Sequence, residues 1–177
     1  MGKGTTFIRV AGCNLRCRWC DTASSFDMST AQWLCAEEIV EAHEFLHQHV
    51  VITGGEPTLY DLGPLVRQLH DLGKYVAIET NGTNIVPGEW EVDWITASPK
   101  PESGFALLCQ ADEVKYVVDD DFTMDCIREA IIPDGRTFLQ VESGRQDSAQ
   151  KAYDLVHDHP ERQLRLGIQL HKVLGLR

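Results

Sequence analysis

The sequence predicts an α/β fold in which parallel strands form a partial, shortened TIM-type β/α barrel. Strand-like runs alternate with helix-like runs along the chain, and helices between strands imply right-handed crossovers and a parallel sheet. The chain has 177 residues, whereas a full eight-stranded barrel typically needs ~250. We therefore expect about six parallel strands in a partial barrel, although a flat doubly wound sheet would show the same periodicity.

The elements of the first half are predicted from β-rich runs and from apolar spacing. A β-rich run over 5–10 leads into a cysteine loop, and a helix capped by Ser29 or Thr30 is expected to reach about His47. An apolar strand follows over 49–53. Leucines and valines at helical spacing then predict a helix over 62–72, which Gly73 ends. Further strands are expected over 75–79 and 92–97.

The second half continues the alternation less regularly. Strands are predicted over 113–118, 137–141 and 164–170. A helix is expected at about 123–131, and the run Asp119-Asp120-Asp121 before it is interpreted as a solvated turn. A second helix has an apolar face formed by Ala149, Ala152, Tyr153 and Val156.

The composition is typical of a single domain in the cytoplasm. The hydrophobic content of 43% is sufficient for a core. The sequence shows neither a signal-peptide pattern nor a long apolar run, so we expect no membrane partner. Six cysteines without a secretion signal indicate a reducing compartment. The net charge of −11 disfavours a nucleic-acid partner, because nucleic-acid-binding proteins usually have a basic face.

Three cysteines follow the first predicted strand, with three and then two residues between them: Cys13, Cys17 and Cys20. Structural zinc sites and closed iron–sulfur clusters usually have four protein ligands. Three thiolates would leave one metal position open for a cofactor or substrate. The alternative is three loop cysteines without a ligand role, but such a cluster in a cytoplasmic chain more often marks a metal site.

Polar motifs follow the ends of the first four predicted strands. The first strand is followed by the cysteine loop, and the second strand is followed by Gly54-Gly55-Glu56-Pro57. The third strand is followed by Glu79-Thr80-Asn81-Gly82, and the fourth is followed by Ser98-Pro99-Lys100. Ligands bind at the C-terminal edge of parallel α/β sheets. We therefore expect these motifs to converge on one site, where the glycines would let a ligand approach the backbone.

The Cys-x3-Cys-x2-Cys loop, the Gly-Gly-Glu-Pro turn and the Glu-Thr-Asn-Gly turn together resemble the radical S-adenosylmethionine (SAM) superfamily. The resemblance implies a single radical SAM domain over 1–177 that holds a 4Fe–4S cluster on Cys13, Cys17 and Cys20, with SAM at the open iron. The residues that it implies for SAM binding are Gly54, Gly55, Glu56, Glu79, Asn81, Ser98, Lys100 and Gln140.

Further motifs resemble one family of this superfamily more specifically, the 7-carboxy-7-deazaguanine synthase family. These motifs are Phe7-Ile8-Arg9, Cys20-Asp21-Thr22, the run 112–118 and Gln169-Leu170-His171-Lys172. That family converts 6-carboxy-5,6,7,8-tetrahydropterin to 7-carboxy-7-deazaguanine with loss of ammonia, in queuosine and deazapurine biosynthesis. The resemblance implies a homodimeric lyase, a flavodoxin or ferredoxin as electron donor, and Mg²⁺ on Thr22. The residues that it implies for substrate binding are Arg9, Gln169, His171 and Arg177.

Two alternatives remain open. Another small radical SAM enzyme, such as a glycyl-radical-enzyme activase, would share the cysteine spacing but not the set of Arg9, Thr22 and His171. An iron–sulfur protein that has lost catalysis would not need intact glycine-rich turns. Members of the resembled family usually carry a longer N-terminal segment with a Gly-Glu-Gly turn. We expect that segment to be missing here, because residues 1–4 lead directly into the first strand.

Overall fold

The computed structural model describes residues 3–128, 132 and 135–175 and contains one sheet of seven parallel strands. The strands are β1 (Thr5–Val10), β2 (His49–Gly54), β3 (Tyr75–Thr80), β4 (Trp94–Ala97), β5 (Glu113–Val118), β6 (Thr137–Val141) and β7 (Arg165–Gly167). They lie in the sheet in chain order, from β1 to β7. A doubly wound sheet would reverse direction at a switch point. The unbroken order confirms the predicted partial barrel, with seven strands rather than about six.

In the described part of the chain, four helices lie between or after the strands: α1 (Ala36–Ala42), α2 (Gly63–Asp71), α3 (Gln146–Asp158) and α4 (Leu170–Val173). The remaining connections contain short 3₁₀ turns. No helix among the described residues is long and apolar enough to cross a membrane.

The helix predicted from Ser29 or Thr30 to His47 is wrong at both ends. Its true start is Cys35, whose backbone N–H is bound by the Glu38 side chain at 2.7 Å. The chain becomes extended again at His43. Trp33 and Leu46, which suggested a longer apolar face, are about three-quarters exposed, so the helical spacing at these positions did not correspond to burial.

Two predictions in the second half also need correction. Over the described part of 123–131, the structure has only a 3₁₀ turn at Met124–Cys126, and the chain is extended at Ile127. The last strand is shorter than 164–170, because it ends at Gly167 and α4 begins at Leu170.

Alternation along the strands divides the sheet into an outer apolar face and an inner polar face. In β3, Val76 and Ile78 are fully buried against α2, while Ala77 and Glu79 face the inside. In β5, Val114, Tyr116 and Val118 join a second buried cluster that includes Ala152 of α3. The helices therefore cover the outer face and leave the inner face free to line a cavity.

Candidate active site

The inner face of the sheet and the loops at its C-terminal edge enclose a cavity of about 970 Å³. The structure brings nearly all the predicted site residues to this cavity. Those that line it are Arg9, Cys13, Cys17, Cys20, Thr22, Gly54, Gly55, Glu79, Asn81, Ser98, Lys100, Gln140, Gln169 and His171. Glu56 is not in the wall, and Arg177 lies outside the described residues.

The three cysteines of the loop are partly exposed, and all are free thiols. No three His, Cys, Asp or Glu side chains among the described residues converge closely enough to hold a single metal ion. A 4Fe–4S cluster is less demanding, because its thiolates bind different irons. Three soft thiol ligands facing one cavity therefore fit a cluster better than an isolated ion. Burial, and then the neighbouring Glu102 carboxylate, raise the pKa of Cys17 to about 12, so iron binding there would release a proton.

Two polar anchors hold the cysteine loop against the sheet. The Asn14 side chain accepts a hydrogen bond from Asn81 Nδ2 and donates one to Thr83 Oγ1, both at 2.8 Å. Asn81 also accepts from Thr83 and donates its backbone N–H to Glu56. These contacts occupy most of the polar groups of Asn81 and hold the loop in place, and the predicted contact of Asn81 with SAM stays a prediction.

The second anchor is Asp119, at the end of β5. Its Oδ2 atom accepts hydrogen bonds from Trp19 Nε1 at 3.0 Å and from Arg18 at 3.2 Å. Asp119 is only 6% exposed, so the aspartate run is not simply a solvated turn. Its first member ties the tip of the cysteine loop to the barrel.

The glycine pair after β2 is required by backbone packing against the cysteine loop. A Cβ atom on Gly55 would lie 1.8 Å from the Gly12 carbonyl oxygen, and one on Gly54 would lie 2.4 Å from that of Val10. Gly54 also has a φ of +118°, which residues with side chains rarely adopt. The Gly55 N–H donates to the Val10 carbonyl at 2.8 Å. The pair therefore determines where the loop sits, in addition to lining the cavity.

The structure does not support a direct contact between the Glu56 side chain and SAM. Glu56 is fully buried, and its carboxylate accepts four hydrogen bonds. The donors are the Thr58 N–H, the Thr58 and Thr80 hydroxyls and the Asn81 N–H, at 2.6–3.0 Å. Glu56 therefore joins the turn after β2 to the turn after β3.

Five polar side chains form one level across the inner face of β1–β5. Arg9 of β1 is in register with Thr53 of β2. Thr96 of β4 is in register with Glu79 of β3 on one side and with Glu113 of β5 on the other. Thr53 donates to Glu79 at 3.3 Å, and Thr96 donates to Glu113 at 3.0 Å. A complete barrel usually fills this space with apolar side chains. Here the same positions form the wall of a polar cavity.

The cavity contains basic side chains that are available to an anionic ligand, although acidic side chains also line it. Glu79 is neutralised by Lys115, whose Nζ lies 3.6 Å away. Arg9 has no acidic partner within 4.0 Å among the described residues. Lys100 donates to Ser98 Oγ at 2.6 Å and lies 5.0 Å from the Trp19 ring centre. Burial, and then the charge of Lys115, lower the pKa of Lys100 to about 8.

The C-terminal segment reaches the cavity beside the cysteine loop. His171 lies in α4 and lines the cavity, and Gln140 at the end of β6 is nearly buried beside Gly167. Gln169 was predicted to bind substrate, but its amide donates to Asp21 Oδ2 at 2.7 Å. That contact gives Gln169 a partner within the protein.

Several cavity residues were missed in the sequence: Asp21, Thr53, Glu113, Lys115 and Lys172. Alternation with the buried β5 residues could have identified Glu113 and Lys115, because residues two apart share a face. Asp21 pairs with Lys172 at 3.5 Å, and no local pattern connects residues so far apart in the chain. Burial opposes ionisation of Asp21, but the hydrogen bond from Gln169 and the charge of Lys172 outweigh it and lower the pKa.

Comparisons with known proteins agree with this geometry. Residues 7–92 match the model of the radical SAM superfamily. The chain is 36% identical over 178 aligned residues to the 7-carboxy-7-deazaguanine synthase of Bacteroides thetaiotaomicron, covering 99% of the chain and 90% of the relative. It is 37% identical to that of Aquifex aeolicus, covering 86% of the chain and 75% of the relative.

Two solved structures are similar in fold. The structure of QueE from Escherichia coli has a TM-score of 0.70 and 27% identity, covering 95% of this chain and 86% of that one. Streptococcus suis SuiB bound to S-adenosylmethionine has a TM-score of 0.57 at 14% identity, covering 93% of this chain and 50% of that one. The second likeness concerns the fold alone.

Proposed function

Since the chain belongs to the 7-carboxy-7-deazaguanine synthase family of the radical SAM superfamily, we propose that it converts 6-carboxy-5,6,7,8-tetrahydropterin to 7-carboxy-7-deazaguanine with loss of ammonia. The enzyme is a radical SAM carbon–nitrogen lyase of deazapurine biosynthesis. The observation that carries this proposal is that the cysteine loop and the substrate candidates Arg9, Thr22 and His171 line a single cavity.

When bound, the 4Fe–4S cluster and SAM would supply a 5′-deoxyadenosyl radical, which would take a hydrogen atom from the substrate and return one at the end of the reaction, because substrate and product differ only by ammonia. Cys13, Cys17 and Cys20 would hold the cluster. Lys100 and Cys17 both line the cavity, so Lys100 would offer a cation to the carboxylate of SAM near the cysteine loop. Glu79 also lines the cavity and offers acceptor oxygens for the hydroxyl groups of the SAM ribose.

The protein's own groups suit a pterin carboxylic acid. Arg9 points into the cavity without an acidic partner among the described residues, so its guanidinium is free to hold the substrate carboxylate by two parallel hydrogen bonds. His171 faces the same space from α4. The role of Arg177 remains a prediction from the sequence.

Thr22 is proposed to bind Mg²⁺ through its hydroxyl oxygen. Magnesium prefers oxygen ligands and usually keeps several waters or substrate oxygens, so a single protein ligand is sufficient. Thr22 lies two residues after Cys20 and lines the cavity, so its hydroxyl oxygen would be available there to a metal ion.

The proposed partners follow from the family. We expect a homodimer and a flavodoxin or ferredoxin as the source of the electron. Both donors, and an oxygen-sensitive cluster, are compatible with a reducing cytoplasm.

The test is anaerobic turnover of the reconstituted protein with SAM, reductant, Mg²⁺ and the carboxy-tetrahydropterin. We expect 7-carboxy-7-deazaguanine, with 5′-deoxyadenosine accumulating only from turnovers in which the hydrogen atom is not returned, and neither compound from Cys17→Ala. Cleavage of SAM without any response to pterin or Mg²⁺ would point instead to another small radical SAM enzyme, such as an activase. Absence of both 5′-deoxyadenosine and 7-carboxy-7-deazaguanine from protein with a complete cluster would indicate an iron–sulfur protein without catalysis.

A further inference from the structure

We propose that Asp21 is a positioning residue that fastens the C-terminal segment to the cysteine loop and orients the Thr22 hydroxyl. The inference rests on the proposed function, because it concerns the proposed Mg²⁺ ligand and the proposed substrate residue His171. It assigns a role to a side chain that binds neither cluster nor substrate in that proposal.

Three contacts converge on this one carboxylate. Asp21 Oδ2 accepts a hydrogen bond from Gln169 Nε2 at 2.7 Å and lies 3.5 Å from Lys172 Nζ. Asp21 Oδ1 accepts a hydrogen bond from the Thr22 hydroxyl at 3.1 Å. One oxygen therefore faces the C-terminal segment, and the other faces the neighbouring residue of the loop.

The contacts to Gln169 and Lys172 flank His171. Gln169 is the residue immediately before α4, and Lys172 lies within it. Leu170 is 36% exposed, whereas Val173 is 67% exposed. Among the described residues, the side-chain hydrogen bond and the ion pair that tie this segment to the rest of the protein are both made to Asp21, on either side of His171.

The contact to Thr22 has a different consequence. When the Thr22 hydroxyl donates its hydrogen bond to Asp21, the lone pairs of the hydroxyl oxygen point away from Asp21. Those lone pairs are the oxygen atom's means of binding a metal ion. Groups that orient a metal ligand in this way typically change metal affinity or activity by ~10–100-fold when they are removed. Asp21 would thus orient the Thr22 hydroxyl for Mg²⁺ and also position His171.

Hydrogen exchange on the cluster-loaded protein without pterin tests the docking. In Asp21→Ala and in Lys172→Met, we expect amides of 169–175 to exchange faster, by about fivefold for a lost partly exposed charged contact. Asp21→Asn keeps an acceptor oxygen and should give an intermediate result. The matched control is Asp154→Ala, which removes an exposed 2.8 Å contact with Gln150 on the outside of α3. Unchanged exchange at 169–175 in both Asp21→Ala and Lys172→Met would overturn the docking.

The response to Mg²⁺ tests the orientation of Thr22. Asp21→Ala should raise the Mg²⁺ concentration for half-maximal turnover by ~10-fold or more, while Lys172→Met should raise KM for the pterin without changing that concentration. An unchanged Mg²⁺ response in Asp21→Ala, with normal iron content, would overturn this role. If the wild-type protein showed no turnover, the proposed function would fail, and the exchange measurement would still decide the docking.

Discussion

Replacement of Glu56 by glutamine distinguishes a structural role from a cofactor-binding one. The glutamine has nearly the same shape, but only one of its two terminal atoms accepts hydrogen bonds. Three donors face Oε1, from Thr58 and Thr80, and the Asn81 N–H faces Oε2. In either orientation of the amide, at least one buried donor would face an NH₂ group.

The expected cost follows from these contacts. Loss of a hydrogen bond to a charged group, together with one unsatisfied buried donor, amounts to about 3 kcal/mol of unfolding free energy. For a domain of this size, that corresponds to a fall in Tm of about 6–12 °C. The assay is thermal and urea unfolding of the protein before cluster loading, monitored by circular dichroism.

The control is Glu113→Gln. Glu113 accepts a hydrogen bond from Thr96, and the carbonyl oxygen of a glutamine can replace that acceptor, so the change should stay within about 0.5 kcal/mol. Wild-type stability of Glu56→Gln, with a loss of affinity for SAM alone, would show that Glu56 binds the cofactor instead of joining the two turns.

Three further predictions concern the loop and the substrate. Gly55→Ala should cost about 2–4 kcal/mol of unfolding free energy and lower the iron content, because the added Cβ atom would clash with backbone. The control is Gly88→Ala, whose added Cβ atom would meet no atom within 4 Å. An unchanged iron content in Gly55→Ala would contradict this prediction. Arg9→Lys should raise KM for the pterin about tenfold with little change in SAM cleavage, because lysine cannot form a bidentate pair with a carboxylate. Arg67→Lys on α2 serves as the control. An unchanged KM in Arg9→Lys would argue against binding of the substrate carboxylate by Arg9. Thr22→Ala should keep SAM binding but weaken the dependence of turnover on Mg²⁺, and an unaltered metal response would exclude Thr22 as a ligand.

The residues that line the cavity could be predicted from the sequence more accurately than the bounds of the surrounding helices. Strands such as β3 and β5 could be predicted because period-2 alternation separates buried from cavity-facing side chains. Polar motifs after consecutive parallel strands must meet at one edge, so their convergence followed from the fold class. The helix predicted to reach His47 was wrong because apolar spacing does not reveal which of those side chains are buried.

The connections within the site could not be predicted from local patterns. Glu56 lies in a turn that suggested a ligand contact, and only the folded chain shows that four donors surround its carboxylate. Asp119 seemed to belong to a solvated turn, yet it binds Trp19 from the other half of the chain. Asp21 and Gln169 are 148 residues apart. Such contacts depend on the relative placement of β5, β7 and the cysteine loop, which no sequence period encodes.

The most direct test of the central claim is the stoichiometry of anaerobic turnover. In one reaction with carboxy-tetrahydropterin, SAM, Mg²⁺ and reductant, mass spectrometry and an ammonia assay would quantify both products. We expect 7-carboxy-7-deazaguanine and ammonia to form in equal amounts as the pterin is consumed. Formation of 5′-deoxyadenosine from SAM with neither product, in protein with a complete cluster, would contradict this expectation.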